Sequence, residues 1–86
     1  MGSYKIELRQ SAGRDIRKIT PTLIPNILRK IEALSSEPFP RQSLKLSGGE
    51  ATYRLRVGDY RVIYEVDNKT RAVVIHYVRH RREVYR

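Results

Sequence analysis

Arg54 and Arg56 stand two apart in the run Tyr53-Arg-Leu-Arg-Val-Gly-Asp-Tyr-Arg-Val-Ile-Tyr64. In an extended segment that spacing puts both guanidiniums on one face, opposite Tyr53, Leu55 and Val57. Arg61 follows in the same run, and the chain ends in Arg79-His-Arg-Arg-Glu-Val-Tyr-Arg86, with four Arg, one His and one Tyr in eight residues. A guanidinium stays charged at any physiological pH and offers a planar fork that fits two phosphate oxygens. Such a set can grip a phosphodiester and stabilise charge that develops on it. Tyr85 can stack on a base, or exchange a proton once neighbouring cations lower its pKa. Of the two histidines, His80 is the better candidate for proton transfer because charge flanks it, whereas His76 sits in an apolar run and reads as structural.

The rest of the inventory narrows the chemistry. Eighteen Lys and Arg against nine Asp and Glu leave a formal charge of +9, and 13 of the 18 are Arg, which favours a polyanionic partner such as nucleic acid. With no Cys there is no thiolate nucleophile, disulfide or Cys-based metal site. Two His and no close carboxylate cluster speak against a metal, and Gly48-Gly49 is too little for a phosphate-cradling loop, so no cofactor is expected. The start, MGSYKIELRQ, lacks the apolar stretch of a signal peptide, and no run approaches the roughly 20 apolar residues that span a bilayer. The expectation is a cytoplasmic protein without a membrane.

Eighty-six residues allow one domain, 1–86, around one core. Tyr4, Ile6 and Leu8 alternate as in a short strand. Ser11 offers a cap to a short helix carrying Ile16 and Ile19, and Leu23, Ile24, Ile27, Leu28, Ile31 and Leu34 recur at helical spacing between about Pro21 and Leu34. Pro25 falls in the first turn or so, where its missing amide hydrogen costs least. Residues 41–50 read as an extended linker and turn. Three strands follow, at Tyr53 to Val57, Tyr60 to Val66 and Arg71 to Val78, joined by turns at Gly58-Asp59 and 67–70. The reading is an α+β domain in which two helices cover one face of an antiparallel meander and the first strand joins the sheet. On the second strand Arg61, Ile63 and Glu65 oppose Val62, Tyr64 and Val66; on the third Val73, Ile75, Tyr77 and Arg79 oppose Val74, His76 and Val78. Alternation alone leaves open which face is wet, and whether the arginines converge on one concave surface or scatter.

The run from Tyr53 to Tyr64, followed by Val78-Arg-His-Arg-Arg-Glu-Val-Tyr85, resembles the RelE/ParE superfamily of bacterial type II toxins, and the resemblance extends over essentially the whole chain. It implies a β-α-α-β-β-β order with room for a short C-terminal element. It also implies a metal-independent, ribosome-dependent messenger RNA endonuclease in which the ribose 2'-OH attacks the adjacent phosphate. By that resemblance Arg61 and Arg79 clamp the scissile phosphate, Arg54 and Arg56 stabilise developing charge, and Tyr85 stacks on the substrate or acts as base. Arg81, Arg82, Arg86 and Lys45 become docking cations for RNA and ribosome. The superfamily often has Lys at the positions of Arg54 and Arg56, and Arg, unlike Lys, does not give up its proton. His80 is a substitute for that proton transfer, although it stands five residues from Tyr85. The implied partners are the ribosome and mRNA, a neutralising antitoxin with an acidic or amphipathic segment, and operator DNA bound by the toxin-antitoxin complex. Two other functions stay open: a DNA gyrase inhibitor of the ParE kind, and a basic nucleic-acid-binding module without catalysis.

Overall fold

The computed structural model describes residues 3–46 and 51–84, the last two by backbone alone. Strand β1 (Lys5–Leu8) leads into helix α1 (Gln10–Arg17), and a 3-10 turn at Pro21–Leu23 leads into helix α2 (Ile24–Ala33). Then come β2 (Ser43–Lys45), β3 (Thr52–Val57), β4 (Tyr60–Asp67), β5 (Ala72–His80) and a last turn of helix, α3 (Arg81–Val84). The five strands form one mixed sheet in the order β1-β5-β4-β3-β2. β1 runs parallel to β5, whereas β2 to β5 form an antiparallel meander. No helix among the described residues is long and apolar enough to cross a membrane.

The α+β class and the order of elements agree with the sequence reading, with local differences. Ser11 does not cap α1. Arg9 occupies the cap position without a side-chain hydrogen bond, and the Ser11 hydroxyl donates to the His76 carbonyl at 2.6 Å, tying the helix to β5. Proline limits the second helix: Pro21 opens the 3-10 turn, and Pro25 sits in the first turn of α2, where no intrahelical donor is lost. Part of the expected linker at 41–50 is a strand, because Leu44 pairs with Arg54 and Lys45 with Tyr53. Gly48-Gly49, Tyr85 and Arg86 lie outside the described residues.

Ile27, Ile31 and Leu34 of the α2 region and Ala12 of α1 are buried with Leu55, Val57, Val62, Tyr64, Val66, Val73, Ile75 and Val78 of the sheet. Each large aliphatic side chain so buried contributes about 1.5–3 kcal/mol. The opposite face of the sheet is left to Arg54, Arg56, Arg61, Tyr77 and Arg79.

β5 departs from strict alternation. Tyr64 pairs with Ile75 and Ile63 with Tyr77, so His76 is an extra residue with no partner of its own on β4. Val73, Ile75 and Val78 therefore all face the core, although period two places Val78 opposite the other two. Tyr77 and Arg79 move to the outer face with Ile63 and Arg61. The bulge thereby puts Arg79 in register beside Arg61.

Candidate active site

Arg56 lies directly across β3 and β4 from Arg61, and Arg61 directly across β4 and β5 from Arg79. A row of three cations crosses three strands. The next row holds Leu44, Arg54, Ile63 and Tyr77. Facing like charges repel unless their side chains diverge or find separate acceptors.

The side chains use the row unevenly. Arg54, Arg56 and Arg61 line a groove of about 460 Å³ together with Gln42, Leu44 and Arg41. Arg41, exposed on the connection between α2 and β2, was not singled out in the sequence. An aromatic stack holds it there. The Tyr64 hydroxyl donates to the Pro38 carbonyl at 2.7 Å, Phe39 packs on Tyr53 at 5.0 Å and Tyr53 on Tyr64 at 5.7 Å. Ser43 Oγ donates to the Pro40 carbonyl at 2.7 Å and the Arg56 amide to the Gln42 carbonyl at 3.3 Å. Burial pushes the Tyr64 phenol up to about 12, with hydrogen bonding from Ser43 opposing, so this tyrosine is a neutral clamp and no base.

Arg61 is only 4% exposed. Its Nη1 donates to the carbonyls of Gly58 at 2.9 Å and Tyr60 at 3.0 Å, which fastens the guanidinium to the β3–β4 turn. Gly58 takes φ 59° there, a conformation glycine adopts without strain. A charge this well fixed needs little reordering to meet a phosphate.

Arg79 turns the other way, into a cleft of about 280 Å³ lined also by Asp15, Lys18, Ile19, Tyr60 and His80. Its Nε donates to Asp15 Oδ2 at 3.1 Å, and its guanidinium carbon lies 4.3 Å over the Tyr77 ring. His80 sets its ring edge-on to Tyr60 at 5.4 Å, and its Nδ1 accepts the Arg82 amide at 3.3 Å. Arg81 and Arg82 are exposed on α3, and Lys45 is exposed on β2.

The structure thus gathers Arg54, Arg56 and Arg61 in one groove, sets Arg79 and His80 in a neighbouring cleft, and leaves Lys45 at the sheet edge. Arg79 pairs with Asp15, and His76 with Glu65. His76 occupies the bulge and meets Glu65 Oε1 at 3.1 Å, a structural place. No group of three or more His, Cys, Asp or Glu that could hold a metal ion occurs among the described residues. A groove lined by four arginines suits a substrate that brings its own negative charge.

Residues 6–85 match the family model described as the ParE toxin of the type II toxin-antitoxin system parDE. Toxin RelG of Mycobacterium tuberculosis is 30% identical over 84 residues, covering 96% of this chain and 97% of RelG. The toxin-antitoxin complex RelBE2 from the same organism contains a chain that superimposes with a TM-score of 0.81 at 30% identity, over 91% of this chain and 98% of that one. The archaeal RelE-RelB complex from Pyrococcus horikoshii gives 0.81 at 28% identity, over 92% and 96%. The arginine-lined sheet and its helical hairpin thus carry a fold and a sequence shared along nearly the whole chain, and the protein belongs to the RelE/ParE superfamily of type II toxin-antitoxin toxins.

Proposed function

We propose that this toxin is an endoribonuclease that cuts messenger RNA on the ribosome, in the cytoplasm, without a metal ion. The observation that carries the reading is the groove formed by Arg41, Arg54, Arg56 and the anchored Arg61. In the proposed reaction the ribose 2'-OH attacks the neighbouring phosphorus and gives its proton to a base. The bond to the 5'-oxygen breaks, and that oxygen takes up a proton. The products are a 2',3'-cyclic phosphate and a 5'-OH. The nucleophile is already tethered to the phosphate, so the protein has to orient it, move two protons and stabilise the added charge.

In this reading Arg61 and Arg56 hold the phosphoryl oxygens, with Arg54 beside them. Arg79 clamps from the neighbouring cleft, near the leaving oxygen. The superfamily resemblance gives Tyr85 the part of base or base-stacking partner. His80 is the other candidate for proton transfer, and Arg81, Arg82, Arg86 and Lys45 serve as docking cations. The partner that silences the toxin is a small antitoxin whose acidic or amphipathic segment covers part of the arginine surface, and their complex binds operator DNA. That similar toxins are solved in complex with their antitoxins supports the antitoxin partner.

Primer extension on a message translated with active ribosomes tests the activity. Cuts at the ribosomal A site that vanish in Arg56→Ala and Tyr85→Phe are the expected result, and an intact message with the wild-type protein overturns it. The match to the ParE family model favours a second reading, inhibition of DNA gyrase. Loss of supercoiling with accumulated cleaved DNA would establish it instead. Salt-dependent RNA binding without either effect would make the protein a binding module.

A further inference from the structure

We infer that Asp15 is the positioning residue for Arg79, setting the place and direction of that guanidinium for a phosphate of the substrate; the inference rests on the nuclease reading above. β1 ends at Leu8, opposite Ile75, so beyond that point β5 has no neighbour on this side. The Val78 amide would be left as an edge donor. Asp15, on α1, closes the gap: its Oδ2 accepts the Val78 N–H at 3.0 Å and Arg79 Nε–H at 3.1 Å. One carboxylate oxygen is therefore fixed to the strand that carries the arginine it holds.

The Asp15 side chain is 14% exposed and that of Arg79 40%, so the carboxylate end of the pair is shielded and the guanidinium end is open. An ion pair so placed is screened less than a surface pair. Tyr77 supplies a floor at 4.3 Å beneath the guanidinium plane. With Nε engaged and one face covered, the Nη fork remains for a bidentate contact with an anion. α1 itself is tied to the bulge through Ser11 and the His76 carbonyl, so helix, bulge and arginine form one connected unit. Lys18, His80 and the Tyr60 phenol line the same cleft and are the other charged or titratable groups among its lining residues.

The experiment uses the full chain and two readouts. Asp15→Asn keeps an oxygen for the Val78 amide and removes the charge; Asp15→Ser, shorter still, serves if the first variant does not fold. In nitrogen-proton spectra the Arg79 Nε–H signal, assigned by its loss in Arg79→Ala, is expected to be resolved in the wild type and broadened by exchange in the Asp15 variant. In ribosome-dependent cleavage the variant is expected to lower kcat about tenfold with KM changed less than twofold, and to have no further effect in an Arg79→Ala background. A purely structural role would lower activity equally in both backgrounds, and that result, or an unchanged Nε–H signal, overturns the inference. If the wild type cuts nothing, the nuclease reading fails separately, and the spectra alone decide whether Asp15 holds Arg79.

Discussion

Arg61 and Arg79 are direct cross-strand neighbours on β4 and β5, yet their guanidiniums serve different clefts. Arg61 is anchored to turn carbonyls, and Arg79 to a helix carboxylate. Like charges on adjacent strands are kept apart by giving each a separate acceptor.

Stability and activity should therefore separate along the arginine row. Arg61→Ala removes two hydrogen bonds made by a buried charged group and should cost roughly 2–3 kcal/mol. Arg56→Ala removes an exposed cation opposite another cation and should leave stability within about 0.5 kcal/mol. Under the nuclease reading both variants lose cleavage, by about 100-fold or more. Urea unfolding alongside single-turnover cleavage checks this. An equal loss of stability in both would contradict the anchoring described for Arg61.

The bulge gives a second prediction. Deleting His76 leaves Tyr77 facing outward, Val78 inward and Arg79 outward, now as a regular strand. The variant should fold with a native-like circular dichroism spectrum and a loss on the order of 1–2 kcal/mol, the scale of the Glu65 contact and of strained links to Ser11 and Asp15. A deletion within a strand without a bulge would turn every following side chain to the wrong face. An unfolded deletion variant would show that β5 cannot be straightened beside α1.

Most of the fold could be read from the sequence because β3 and β4 alternate without interruption, although only the pairing of β4 with β3 shows that Val62, Tyr64 and Val66 share the buried face with Leu55 and Val57. β5 could not be read in the same way. Nothing in Ile75-His-Tyr-Val78 marks the place where two successive residues share a face; only the pairing with β4 reveals it. β2 escaped notice because three largely exposed residues carry no periodic signal and are ordered by their partner strand. Spacing alone put Arg54 and Arg56 on one face, whereas the place of Arg61 beside them comes from the β3–β4 register. Asp15 lies 64 residues from Arg79, and Arg41 reaches the groove through an aromatic stack, so neither association has a local signature.

Alkaline pH should expose the Tyr64 clamp. A phenol near 10 when unfolded and about 12 when folded keeps its proton longer in the native state. Its stabilising contribution is complete below pH 10 and is lost as pH rises to 12, an effect of roughly 2–3 kcal/mol. Tyr64→Phe should lower stability by about 1 kcal/mol at pH 9, through the lost bond to Pro38, and should flatten the alkaline limb. Urea midpoints at pH 9 and 11 for both proteins check it, and an equally steep fall in the phenylalanine variant would assign the limb to other groups.

Arg41 provides the sharpest test of the groove as a phosphate site, because it is exposed and sits on a connection and not in the core. Its removal should leave folding unchanged. If the groove tracks a single-stranded backbone, Arg41→Ala removes one phosphate contact, so the log-log dependence of RNA affinity on salt becomes shallower by about 0.7. The loss should be similar for RNAs of different sequence, since a phosphate contact carries no base information. Arg29, on α2 and hydrogen-bonded to Asn26, supplies the control, an exposed cation of the same kind outside the groove. An Arg29→Ala variant should keep the wild-type slope. Equal changes in both variants would mean that RNA responds to net charge alone, and the row across β3, β4 and β5 would lose its claim to be a site.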